Sequence, residues 1–100
     1  MKKKNKSLIQ QDSSYCYIHK KFFHMDVPAC HLHHTIHGNA NRKIADKEGC
    51  YCFLCVKCHS ALHDKGLYDL KLQQITEEAW LEHNNKTIEE WISLFGKNYL

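Results

Sequence analysis

The chain has 100 residues, 43% of them hydrophobic and 25% charged, with a formal charge of +3, nine histidines and six cysteines. That length fits one small domain with a thin core, which a metal or another staple would stabilise appreciably. The composition argues against general disorder, and no run approaches the roughly 20 apolar residues of a membrane span.

The basic N-terminus lacks the apolar stretch of a secretory signal, because Leu8-Ile9 gives way at once to Gln10, Gln11 and Asp12. A chain that is not exported keeps its thiols reduced, so the cysteines read as metal ligands or buried thiols and the cytoplasm is the expected compartment. The charge is uneven. Residues 1–66 carry eleven Lys/Arg against five Asp/Glu, whereas residues 67–100 carry three against six. A basic field favours a polyanionic partner such as nucleic acid.

Residues 1–14 are polar and lysine-rich and are expected to form a flexible basic arm, with residues 15–100 as the single folded domain. Tyr15 to Phe23 alternates poorly and reads as a zinc-knuckle-like turn, ended by Pro28. Ala29 to Ile36 is short and compatible with a strand, with Leu32 and Ile36 on one face and His33 and Thr35 on the other. Gly38 to Asn41 is a loop by composition, and Arg42 to Glu48 suits a helical turn or two stopped by Gly49. Cys50 to Leu54 is a second strand candidate that runs into Cys55-Val-Lys-Cys58-His59, where helical spacing begins.

Asp69 to His83 has the most helical pattern, with Leu70, Leu72, Ile75, Ala79, Trp80 and Leu81 as its apolar face, and Asn84-Asn85 breaks it. Thr87 then suits an N-cap with Glu90 completing a capping box, ahead of an apolar stripe of Ile88, Trp91, Ile92 and Phe95 stopped by Gly96. Trp80 and Trp91 lie on apolar stripes and read as core.

The segment from Cys30 to His63 holds six of the nine histidines and five of the six cysteines. Cys55-x2-Cys58 is half of a tetrahedral zinc site, and Cys16-x2-His19 has the same spacing with nitrogen for the second sulfur. Together they make a candidate structural zinc site, in which Cys30 could replace either ligand of the first pair. The alternative for Cys16 and Cys30 is that they are buried small apolar side chains. Cys50 and Cys52 flank Tyr51, so strand alternation sends both to one face and favours core packing for at least one.

Among the histidines, His59 and His63 lie four apart on one face of a helix and can grip an ion with His33. His34 alternates away from His33 along the strand. It can stay off the metal and deprotonate water. Arg42 and Lys43 are candidate phosphate contacts, their alternative being a solvated helix start. His24, His31, His37 and His83 read as surface positions.

Tandem His33-His34 at a strand end, a loop, a second strand and then Cys55-x2-Cys58-His59-x3-His63 entering a helix resembles the HNH endonuclease family, the ββα-metal or His-Me finger nucleases. The likeness spans roughly Cys16 to His63, and the final ISLFGKNYL is also similar to the ends of small phage-encoded members. The resemblance implies an α+β fold: a ββα-metal core over about 29–66 with a zinc knuckle, and C-terminal helices over about 69–95. It implies a DNA endonuclease in a bacterial or phage-infected cell, with His34 as general base. His33, His59 and His63 would bind a catalytic divalent ion (Mg²⁺, Mn²⁺ or another transition ion), and zinc would be structural.

The family's asparagine, which orients the catalytic histidine, has no counterpart near Cys50; Asn39, Asn41 or a backbone group are the substitutes at hand. DNA is the expected partner and a membrane is not. A homodimer and a larger recombination or packaging machine both stay open as assemblies. The rival reading is a non-catalytic, treble-clef-like zinc module for nucleic-acid or protein interaction, in which His59 or His63 completes the zinc shell. A thiol redox protein built on Cys55-x2-Cys58 is a third.

Overall fold

The computed structural model describes residues 7–100, without the side chains of Asn39 and Ala40. The Lys2–Lys6 part of the expected arm lies outside the described residues. The described chain is a small α+β fold of five helices and one two-stranded antiparallel sheet. In order these are α1 (Tyr17–Phe23), β1 (His31–His34), α2 (Asn39–Glu48), β2 (Tyr51–Leu54), α3 (Val56–Lys65), α4 (Asp69–Asn84) and α5 (Ile88–Phe95). No helix among the described residues is long and apolar enough to cross a membrane.

The first difference from expectation is α1, a helix where a turn was read. Ile18 and Phe22 fall four apart and pack on the same core, Lys20 and Lys21 complement the C-terminal end of the helix dipole, and His24 closes it in the left-handed region. Nor are residues 7–14 a free arm. Ser7 donates to the carbonyl of Tyr51, Leu8 N–H to that of Gly49, and the Gln10 side chain accepts from Phe53 N–H while donating to the Tyr15 carbonyl. Gln10 thereby satisfies a backbone donor on the edge of β2 that would otherwise need water.

The strands pair His31 with Leu54, Leu32 with Phe53, His33 with Cys52 and His34 with Tyr51. Alternation therefore sends His33 and Cys52 to one face and His34 and Tyr51 to the other. Beyond His34 the strand ends and alternation stops, so Thr35 and Ile36 are both buried. The connection between the strands is filled by α2, which starts three residues earlier than read and ends at Gly49, whose φ of 80° is the left-handed cap conformation that glycine adopts without strain.

Two apolar clusters hold the fold. Cys16, Ile18, Cys52, Leu54, Leu62 and Leu72 form one; Ile36, Ala45, Cys50, Trp80, Trp91 and Phe95 form the other. Cys50 and Cys52 are both fully buried, one in each cluster. Burial, with Glu48 nearby, pushes the Cys50 thiol up to about 12, and burial raises that of Cys52 as well, so both behave as apolar groups.

The buried face of α4 is rotated from the expected one. Leu72, Gln73, Thr76, Glu77 and Trp80 are buried, while Leu70 is exposed. The polar members have tasks: the Thr76 and Thr35 hydroxyls meet at 2.7 Å, and Glu77 accepts from the backbone N–H of Tyr99, holding the C-terminal segment. Thr87 caps α5 through the full capping box with Glu90. Trp91 and Phe95 are buried, and the Trp91 indole donates to the Lys97 carbonyl.

Candidate metal centres

Two helix N-termini present the sulfur-rich set. Cys16 is the N-cap of α1 with His19 three residues on; Cys55 is the N-cap of α3 with Cys58 three residues on. The i, i+3 spacing in each pair turns both side chains to the same side of a first helical turn. Cys55 Sγ also accepts the backbone N–H of Cys58 at 3.5 Å, so the sulfur caps the helix as it faces the site.

The four ligand atoms converge within 4.8 Å of one another. His19 Nδ1 lies 3.6 Å from Cys55 Sγ and 3.4 Å from Cys58 Sγ. A tetrahedral ion with bonds of about 2.3 Å to sulfur and about 2.0 Å to nitrogen sets that edge at about 3.6 Å. The spacing suits zinc. Burial pushes the Cys55 thiol up, but the hydrogen bonds from Cys58, Cys16 and Lys57 together outweigh it and its pKa falls below the ordinary value. Burial and the bond to Cys55 raise Cys58. Thiolate is the form that binds metal. Cys30 is exposed and stands outside the set.

The second set is built of nitrogen alone. His33 on β1 and His59 and His63 on α3 bring one ring nitrogen each within 4.8 Å of the others, and His59 Nε2 is 3.0 Å from His63 Nε2. Two imidazoles on one tetrahedral ion would stand about 3.3 Å apart. His33 is 3% exposed, and its Nε2 is buried with no hydrogen-bond partner among the described residues. A coordinated ion would satisfy that atom. Burial first, then the neighbouring His59, His37, His63 and His34, bring the His33 pKa down to about 3. The ring is neutral at neutral pH, as a metal ligand must be.

His31, read as a surface residue, puts its Nδ1 3.0 Å from the Nδ1 of His59. That contact occupies the His59 nitrogen opposite the one facing His63, as outer-shell partners of metal-bound imidazoles do. His37 Nε2 pairs with Asp69 at 2.6 Å, tying the start of α4 to the segment between β1 and α2.

The two sets differ in access. Cys16 and Cys55 are buried, with His19 and Cys58 half-buried around them. In the histidine set burial falls from His33 through half-buried His59 to exposed His63. Closed sites suit structural metal and open ones suit chemistry. A cleft of about 250 Å³ opens on the second set, lined by His33, His34, His37, Arg42, His59 and His63. A larger hollow of about 630 Å³ lies along Leu32, Tyr51 and Phe53 and contains none of these imidazoles.

His34 stands beside the nitrogen set but outside it. Its Nε2 lies 2.6 Å from Asp46 Oδ1 on α2, and its ring is 6.4 Å from that of Tyr51. Asp46 was missed from the sequence, because nothing in the spacing of His34 and Asp46 marks them as neighbours until α2 is folded across the strand connection. The Asn41 side-chain amide is turned to other partners, donating to the carbonyls of His37 and Phe95. The Asn39 side chain lies outside the described residues. Arg42 borders the cleft, while Lys43 is exposed on α2 and is not among the cleft's lining residues.

Comparison of the chain with family models, curated proteins and solved structures gives no match.

Proposed function

We propose that the protein is a metal-dependent DNA endonuclease of the HNH type, with β1, β2 and α3 as its ββα-metal core. The observation that carries the reading is the division of ligands: an open set of three imidazoles beside a histidine outside the set, and a separate closed set of three sulfurs and a nitrogen. An open site leaves coordination positions for a phosphate oxygen and the leaving oxygen, and an ion there would neutralise the charge that develops on them.

Hydrolysis needs a base to take a proton from water as the water oxygen bonds to phosphorus and the bond to the leaving oxygen breaks. His34 is the base in this reading, lining the cleft but outside the metal set. Arg42, on the same cleft, would contact a phosphate and Lys43 a flanking one. All-nitrogen ligation favours a transition ion over Mg²⁺, which prefers oxygen.

The rival zinc-module reading needs His59 or His63 to complete the sulfur site. It is weakened by His19, whose Nδ1 reaches both Cys55 and Cys58. Supercoiled plasmid incubated with zinc-loaded protein tests the proposal. Nicking that needs added Mn²⁺, Co²⁺ or Ni²⁺ and vanishes in His34→Ala supports it. No nicking with any divalent ion, or undiminished nicking by His34→Ala, refutes it.

A further inference from the structure

We infer that Asp46 is the positioning residue for His34, holding the imidazole as its Nε2–H tautomer so that Nδ1 is the nitrogen that takes the proton from water. The inference rests on the nuclease reading for its purpose, but its geometry is independent of it. A carboxylate is an acceptor only, so at 2.6 Å a neutral His34 donates from Nε2 and its lone pair is left on Nδ1. When Nδ1 takes the proton, the imidazolium that forms sits against the Asp46 carboxylate. The proton has moved from water to Nδ1 and the charge it brings is balanced in place.

The pair is held from several sides. Asp46 follows Ala45, fully buried in the second apolar cluster, whose carbonyl accepts the backbone N–H of Cys50 at 2.8 Å. That bond closes α2 onto the start of β2. On β1, His34 pairs across the sheet with Tyr51, whose ring packs near the imidazole. The His34 side chain is 20% exposed and that of Asp46 32%, so the pair is more sheltered than the exposed Lys20–Asp26 pair, at 59% and 56%. Of the alternatives from the sequence, the Asn41 side chain is engaged with His37 and Phe95, and the Asn39 side chain lies outside the described residues. Asp46 touches His34 and not the cleft that would receive DNA: it is absent from the residues lining it.

Two measurements on the zinc-loaded full chain test this. Long-range proton–nitrogen NMR of the imidazoles, without DNA, should find the His34 Nε2 protonated in the wild type and a mixture of tautomers in Asp46→Ala. A wild-type His34 protonated on Nδ1, or ring shifts that Asp46→Ala leaves unchanged, overturns the inference. Single-turnover nicking should fall roughly 10- to 100-fold in Asp46→Ala, the usual loss for such a partner. DNA affinity, zinc content and melting temperature should stay as in the wild type. Asp46→Asn keeps an acceptor but not the charge, and should recover part of the rate. Wild-type nicking rates in Asp46→Ala overturn the inference; absence of nicking in the wild type with the tautomer pinned overturns the nuclease reading and leaves Asp46 holding His34.

Discussion

Cys58→Ser should unfold this protein far below the melting temperature of the wild type. Cys58 is one of three sulfurs in the closed set and packs against the apolar cluster of Cys16, Ile18, Cys52 and Leu62. Through this set α1 is tied to the start of α3. A domain of this size has about 5–15 kcal/mol of stability in all. Zinc present at a thousandfold excess over its dissociation constant contributes about 4 kcal/mol of that by mass action alone. At roughly 4–8 °C per kcal/mol for a domain near this length, its loss lowers the melting temperature by roughly 15–30 °C. The assay is a thermal melt by circular dichroism with stoichiometric zinc, repeated with a strong chelator. Cys30→Ser is the control, because Cys30 is an exposed thiol outside the set. A Cys58→Ser variant that melts with Cys30→Ser, or a wild-type melt that the chelator leaves unmoved, would rule out a structural zinc at this set.

The proposed working site gives further expectations. His34→Ala should lose at least about 100-fold in nicking rate, the lower range for a general base, with zinc content and melting unchanged. His59→Ala should keep its zinc but fail to bind a second, exchangeable ion in equilibrium dialysis. Arg42→Ala should weaken DNA binding and flatten the dependence of log affinity on log salt by about 0.9, one phosphate contact. Acid should destabilise the fold through His33, whose pKa is held near 3 against an ordinary 6.5. The unfolded chain then binds a proton that the folded chain refuses, so this contribution is present above about pH 6.5 and is lost as pH falls toward about 3. Urea midpoints between about pH 7 and about pH 5 should fall more steeply in the wild type than in His33→Gln.

Legibility from sequence followed the range of the interactions. The α5 capping box is four residues long, and Thr87 and Glu90 declare it without help from the rest of the fold. The Gly49 stop and the α3 start at Cys55 are local in the same way. The helix α1 was hidden because a knuckle turn and a helix N-terminus give a cysteine and a ligand three residues on the same spacing. Cys16 and His19 fit either until Ile18 and Phe22 find a core to pack on. The buried face of α4 could not be read, since it is chosen by Thr35 and Tyr99, partners 41 and 22 residues away from Thr76 and Glu77.

The same limit governed the site. The ligand spacings in Cys16-x2-His19, Cys55-x2-Cys58 and His59-x3-His63 are local, and the fold brings those residues together in the groups their chemistry suggested. Asp46 on His34 and His31 on His59 depend on how α2 and α3 dock on β1, which no local pattern encodes. Their signal in the sequence is only that a histidine-rich strand needs acceptors and outer partners from somewhere.

On this reading one chain carries two separate metal centres, one of sulfur and one of nitrogen. Titration of the metal-free, reduced protein with Co²⁺ tests it directly, because thiolate ligation adds a charge-transfer absorption that imidazole ligation lacks. Two equivalents are expected: a first with the thiolate band, abolished by Cys58→Ser, and a second without it, abolished by His59→Ala. A single equivalent whose thiolate band is lost in both variants would contradict it, joining the sulfurs and His59 in one site.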